Sequence, residues 1–336
     1  MPKETIREGR IMVKIKSKIE PASIEMREAY CRALIKAGEK NPRIVTIDCD
    51  LANSCGTKAF GRKFPERAFD IGIQEQNGCA LCGGLSATGL VPFFHSFAVF
   101  STRRVYDQIF LSCAYAGQNV KIVGCDAGVS AAFNGGTHMA FEDMGLMRSM
   151  PNVTIVEPSD PVMMEALVPQ IAEQYGVFYL RMPRKRVFEI YEEETKFRIG
   201  KAEVIRQGTD VTLIAIGIEV ANALEAAALL EKEGISARVV DMFTLKPIDK
   251  ACILKCAAET GAIVTCENGS IINGLGSAVA EVLAENMPTP MERIGVKDLF
   301  GEVGPQPYLE ERFELTANDI AKQARKVYRR KTEKEC

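Results

Sequence analysis

The chain contains no tryptophan and only two histidines, so His95 and His138 are the sole imidazoles on which a mechanism could draw. No apolar run approaches the roughly 18 residues that would suggest a transmembrane helix. Charge is nearly balanced, 42 basic residues against 44 acidic, and no long basic run occurs. Neither a membrane span nor a nucleic-acid surface is therefore expected. Met1–Glu20 is polar and mixed in charge, without a signal-type apolar core. A dinucleotide fingerprint is also missing. Gly274-Leu-Gly276 lacks its third glycine, because position 279 is Val, and it reads as a helix-packing turn.

Eleven cysteines are scattered through apolar runs rather than set out as a disulfide framework. That usage suits a reducing cytoplasm. Cys79-Ala-Leu-Cys82 has the CxxC spacing but no second ligand pair, so buried free thiols are the simpler expectation.

The order of elements predicts an α/β protein of two doubly wound domains with mainly parallel sheets. Residues 1–20 read as an arm. The first domain, 21–183, alternates amphipathic helices (Met26–Glu39, Gln74–Thr88, Thr102–Tyr115) with short apolar strands (Arg43–Asp48, Val91–Ser96, Val120–Cys125, Val153–Val156, Val177–Arg181). A Pro- and charge-rich stretch, 184–197, reads as a linker. The second domain, 198–330, repeats the alternation and closes with a basic helix at 315–329.

Open parallel sheets bind ligands beyond the carboxyl ends of their strands, which directs attention to Asp48–Ser54, Ile71–Gln76, Ser96–Arg104, Asp126–His138 and Arg181–Arg184. Glu75 opens an apolar helix within Asp70-Ile-Gly-Ile-Gln-Glu-Gln-Asn77. An acid there ordinarily complements the helix dipole; with so little polarity around it, a catalytic carboxylate is the alternative. Phe97 and Phe100 are either plain core or the wall of a site for a flat heteroaromatic group. His138, on the glycine-rich loop Asn134-Gly-Gly-Thr-His138, is a turn residue or an acid–base candidate. His95 lies inside an apolar strand and reads as a core or interface residue.

Together these segments resemble the transketolase superfamily, specifically its pyrimidine-binding domain followed by its C-terminal domain, from about residue 22 to 328. Asp70-Ile-Gly-Ile-Gln-Glu-Gln is similar to the family's Gly-Ile-x-Glu segment, Phe97-Ala-Val-Phe100 with Tyr106-Asp-Gln108 to its cofactor-ring segment, and Gly136-Thr-His138 with Glu142-Asp143 to its Thr-His loop. Asn273–Leu283 and Arg293–Gly304 resemble the C-terminal domain. The resemblance implies a thiamine-diphosphate enzyme that moves a two-carbon ketol unit from a ketose to an aldose. It assigns Glu75 to the pyrimidine N1′ as the activating carboxylate, and Phe97 and Phe100 to the pyrimidine ring. Asp50, Leu51 and Arg103 fall beside the cofactor. His138 falls at the donor carbonyl, and Arg27, Ser54 and Arg181 at a terminal anion. Asp126 and Asn134 stand where many transketolases place a phosphate-contacting His and a hydroxyl-reading Asp. A carboxylate beside a phosphate is unfavourable, so Asp126 points away, pairs with Arg103 or Arg184, or signals another sugar.

No Gly-Asp-Gly segment, which in the family holds the divalent metal, occurs in the sequence. The resemblance therefore implies the C-terminal subunit of a split transketolase. Mg²⁺ ligands and the diphosphate half would come from an N-terminal subunit, and a dimer of this chain would form the core of a heterotetramer, with Cys79–Leu90 and Phe93-Phe94 as candidate interface stretches. A second reading is the beta subunit of a 2-oxo-acid dehydrogenase first component, which shares the domain order and the Glu. The Gly-Gly-Thr-His loop and the Arg27, Ser54, Arg181 set favour a ketose. A non-catalytic subunit of the same fold is the third reading; intact Glu75 speaks against it.

Overall fold

A computed structural model describes residues 14–332. Fourteen strands appear in chain order: β1 (Ile15–Pro21), β2 (Ile44–Asp48), β3 (Ala68–Asp70), β4 (Val91–Phe97), β5 (Lys121–Cys125), β6 (Val153–Val156), β7 (Val177–Met182), β8 (Phe188–Tyr191), β9 (Glu203–Arg206), β10 (Val211–Ala215), β11 (Ala237–Asp241), β12 (Thr244–Lys246), β13 (Ile263–Ser270) and β14 (Met291–Val296). They form a seven-stranded sheet, β12-β6-β7-β5-β4-β2-β3, a five-stranded sheet, β14-β13-β10-β11-β9, and a small two-stranded one, β1-β8. The large sheet is parallel except at its β12 edge, and the second sheet is parallel except at β9.

Strands β2, β4, β5 and β7 are buried at every position. Helices cover both faces of a parallel sheet, so its central strands read as continuous apolar runs rather than alternating ones. Phe93 and Phe94 are fully enclosed in β4. They belong to the sheet core and not to an interface between chains. The parallel order also brings the carboxyl ends of β2, β4, β5 and β7 to one edge, where the loops 49–57, 98–104, 126–138 and 183–186 meet.

Three expectations need correction. Of the expected arm, residues 1–13 lie outside the described residues, but from Ile15 the chain is strand β1, paired antiparallel with β8. The expected linker contains β8. Its backbone is held by Asp160, whose carboxylate accepts the N–H groups of Ile190 and Tyr191 at 2.9 Å while capping the helix Pro161–Glu173 through Met163 N–H at 2.8 Å. One buried acid thus fixes a helix start and a strand that local composition disguises. The helix expected over Thr102–Tyr115 is broken into a 3₁₀ turn (Arg103–Val105), one α turn and a π segment (Ile109–Tyr115).

A buried ion cluster lies where the two domains meet. Arg181, in β7, is 1% exposed. Its Nε donates to Asp143 Oδ2 at 2.7 Å, Nη1 to Glu157 Oε1 at 2.7 Å, and Nη2 to the carbonyl of Asn268, in β13, at 2.7 Å. Tyr179 adds a 2.6 Å bond to Asp143. Every guanidinium nitrogen is thereby committed, so the assignment of Arg181 to a substrate anion is overturned. β7 lies between β5 and β6, where both faces are covered, and the residue is sealed in the seam between domains.

Breaking a buried ion pair leaves uncompensated charge at a cost of about 3–5 kcal/mol. Arg181→Ala is therefore expected to lower stability by roughly that amount in urea unfolding followed by circular dichroism. An unchanged midpoint would show that the seam ions contribute nothing to the fold.

Candidate active site

Glu75 is the first residue of the helix Glu75–Ala87 and is 3% exposed. The helix starts there because Gly72 takes φ +74 and turns the chain away from β3. Ser96 Oγ, from β4, donates to Glu75 Oε1 at 3.3 Å, and Arg104 Nη1 lies 3.0 Å from the same oxygen. The carboxylate is thus anchored on one oxygen by a sheet residue and a cation.

Next to it stands a ring cluster. The Phe97 and Phe100 centroids are 6.3 Å apart, and the His138 imidazole meets both edge-on, at 5.9 Å and 5.2 Å. Such tilted arrangements suit the ring quadrupoles. His138 Nδ1 is 2.9 Å from Thr137 Oγ1, which orients the imidazole. The Arg104 guanidinium lies 3.7 Å above the Phe100 ring, and that of Arg184 is 5.5 Å from the Phe97 ring. One flat cationic group therefore stacks on Phe100 and pairs with Glu75 at once.

A second cluster lies beyond β5 and β7. Asp126 has φ +55, is almost fully buried, and pairs with Arg184, whose Nε is 2.6 Å from Oδ2 and whose backbone N–H donates to Oδ1 at 3.2 Å. Among the alternatives left open for Asp126, the arginine partner is Arg184. Burial pushes its carboxyl up to about 6, although Arg184, Lys185 and Arg27 all pull the other way. Arg27 is bound to Arg184 through the backbone at 3.2 Å. Its guanidinium pairs with Glu25 at 2.7 Å and reaches the carbonyls of Asn53 and Ser54 at 3.3 and 3.4 Å. Gly56 permits this closure: a Cβ there would sit 2.7 Å from the Arg27 carbonyl oxygen. Arg27, Ser54, Asp126 and Arg184 thus converge, each positive charge already partnered.

Other expected residues fall differently. Asp50 is exposed at φ +59, with its N–H held by Asp70 at 2.9 Å, and Leu51 follows it half-buried in the same loop. Asn134 is half-buried at the end of a 3₁₀ turn, in the loop of His138. Arg103 faces outward and pairs with Glu142 at 2.8 Å, so Arg104 takes the place beside the ring cluster. Sequence reading passed over Arg104 and Ser96, and it gave Arg184 only as a partner of Asp126. A Ser one residue ahead of Phe97 and an Arg just past the Pro183 break were the available signals. His95 is fully enclosed, with Nε2 2.6 Å from Tyr30 Oη; burial holds its imidazole down to about 3, hence neutral. All ten described cysteines are free and nine are buried, Cys79 and Cys82 among them. Among the described residues no His/Cys/Asp/Glu cluster could hold a metal ion, and no helix is long and apolar enough to cross a membrane.

The family model "Transketolase, pyrimidine binding domain" matches residues 22–188, and "Transketolase, C-terminal domain" matches residues 200–320. The chain is 47% identical to the 6-deoxy-6-sulfo-D-fructose transketolase subunit SqwH of Clostridium sp. (strain MSTE9), over 91% of this chain and 95% of that one. It is 36% identical to the transketolase of Rattus norvegicus over 82% of this chain, but that match spans 45% of the rat protein. A solved structure described as a split gene transketolase, inactive beta4 tetramer, superposes with a TM-score of 0.86 at 44% identity, covering 92% of this chain and all of that one. With a buried Glu opening a helix beside two phenylalanines and a histidine, and with both domain models matched in order, the chain belongs to the transketolase family.

Proposed function

We propose that this chain is the C-terminal subunit of a thiamine-diphosphate-dependent transketolase that moves a two-carbon ketol unit from a ketose with a monoanionic terminus to an aldose. It works with an N-terminal subunit that supplies the Mg²⁺ ligands and the diphosphate half, around a dimer of this chain in the cytoplasm. The observation that carries the reading is Glu75, buried at a helix start beside the Phe97, Phe100 and His138 rings. The cofactor fits this half-site on one internal criterion. Arg104 makes the two contacts an aminopyrimidine needs, stacking on Phe100 and pairing with Glu75, so the space accepts a planar nitrogen-bearing group.

Bound there, thiamine diphosphate supplies a nucleophilic thiazolium carbon. Glu75 holds the proton at the pyrimidine N1′, a task that suits a carboxylate screened from water. Phe97 and Phe100 would hold the pyrimidine ring, and Asp50 and Leu51 would lie on the thiazolium side. His138, oriented through Nδ1 by Thr137, would contact the donor carbonyl, and Asn134 on the same loop would read a sugar hydroxyl. Apolar Leu81, Leu111 and Tyr115, exposed on the Glu75 helix and the π segment packed against it, favour self-association on that side.

Charge accounting selects the substrate terminus. Arg27 and Arg184 face it, but Glu25 and Asp126 already offset both. Two unit charges 4 Å apart interact by about 4 kcal/mol at an effective dielectric of 20. A second negative charge on the ligand therefore meets Asp126 with little cation left to balance it. A sulfonate or another monoanion suits this pocket better than a phosphate dianion, and the similarity to a sulfofructose transketolase subunit points the same way.

Two measurements check this. In the complex reconstituted with its N-terminal subunit, Glu75→Gln is expected to cut turnover and hydrogen–deuterium exchange at the cofactor C2 by about 10²–10⁴. Stability should change by no more than about 1 kcal/mol, the worth of an acid at a helix end. Near-wild-type exchange would leave Glu75 a helix-end residue only. For substrate charge, a sulfonated ketose stays monoanionic across the neutral range, so only the protein titrates. As pH falls through about 6, Asp126 takes up a proton and releases Arg184, and KM for that ketose should fall. Asp126→Asn should remove this pH dependence and shift the phosphate-to-sulfonate ratio of kcat/KM about tenfold toward phosphate, or 1.4 kcal/mol. An unaltered ratio would mean that Asp126 does not face the terminus.

A further inference from the structure

Four large apolar side chains stand in solvent at a junction of the two domains. Phe300 is 96% exposed, Phe133 and Val303 68% each, and Leu299 46%. They come from two loops, one from each domain, that touch back to back. A Cβ on Gly135 would lie 2.7 Å from Val303 Cγ2, and one on Gly136 would lie 2.2 Å from the Gly301 carbonyl oxygen. Gly301 in turn abuts Met139. The Phe300 loop is therefore seated on the segment that carries His138, and its aromatic side chain projects away from both domains.

The surroundings are charged. Lys297 pairs with Glu314, and Arg312 with Glu302 at 2.7 Å. An apolar centre inside a polar rim is the anatomy of a protein–protein contact. Four exposed apolar residues on two touching loops, two of them phenylalanines, are what a chain keeps when another protein covers them.

We infer that the Phe133, Leu299, Phe300 and Val303 patch is a docking surface for the N-terminal transketolase subunit. The inference rests on the split-enzyme reading. The match spans 45% of the rat relative, so that protein carries a further stretch at least as long as the matched part, and on the split reading the N-terminal subunit stands in for it. That subunit must approach the face holding Glu75 and His138, because the cofactor's remaining contacts come from it. Phe133 opens the loop that carries His138, and Phe300 is seated on that loop. A subunit closing over the ring cluster continues onto this patch, and the two phenylalanines are its natural anchors.

The test uses the full chain and the purified N-terminal subunit from the same organism, the polypeptide with the Gly-Asp-Gly segment. Phe300→Asp and Phe133→Asp, singly and together, are expected to raise the dissociation constant for that subunit at least about tenfold. Thermal unfolding and self-association of the variant chain in sedimentation should match wild type, since neither side chain is buried in the free chain. Unchanged affinity for the N-terminal subunit, with the wild-type complex formed, would overturn the patch and leave the split-enzyme reading standing. Lost self-association with partner affinity intact would assign the surface to a second copy and overturn it equally. A wild-type chain that binds no N-terminal subunit would sink both the patch and the reading beneath it.

Discussion

The rest of this structure depends on Arg181. One guanidinium collects Asp143 from the helix after the His138 loop, Glu157 from the end of β6, and a carbonyl of β13 in the other domain. Desolvating so many charges is expensive, and the arrangement holds only because each donor finds an acceptor. Its effect is positional. Arg181 Nη2 also reaches the carbonyl of Ala140, two residues past His138, so the same guanidinium holds the segment that follows the imidazole. Gly217 and Gly128 keep the seam tight, since a Cβ at either would collide with Glu157 or Asn268.

Around this fixed seam the chain sets two kinds of charge. Buried acids at domain contacts serve backbone: Asp160 holds β8, and Glu267 accepts the N–H groups of Leu275 and Gly276 at 2.7 and 2.8 Å, opening the helix Leu275–Asn286. The acids at the sheet edge, Glu75 and Asp126, instead face arginines that are partly exposed, Arg104 and Arg184. A half-exposed arginine can exchange its partner for a ligand at modest cost, whereas a sealed one cannot. The distinction separates the site from the scaffold among side chains of the same type.

That distinction also marks how far the sequence could be read. Central strands were legible because continuous β-branched runs such as Ile44–Asp48 have few other uses, and Glu75, Phe97, Phe100 and His138 were legible as motifs in order. β3, β9 and β12, at three or four residues each, are too short to carry a period and exist through their neighbours. Arg181 and Arg184 look equivalent in Leu-Arg-Met-Pro-Arg. Only the burial of β7 separates them, because one is inside the strand and the other past its end. Arg103 and Arg104 exchanged roles for a related reason. A regular helix over 102–115 would give one set of directions, and the 3₁₀ turn and π segment give another.

The antiparallel β12 strand carries a consequence for biosynthesis. Thr244–Lys246 belongs in sequence to the second domain but pairs with β6, closing one edge of the first sheet. Until the ribosome has delivered that segment, β6 presents an unpaired row of backbone donors and acceptors, a template for pairing with another nascent chain. The N-terminal domain therefore cannot finish folding during its own synthesis. A chain stopped between the two domains would leave the ribosome as an adhesive edge rather than a smaller working protein. A cut between these two domains would separate a sheet from its own last strand.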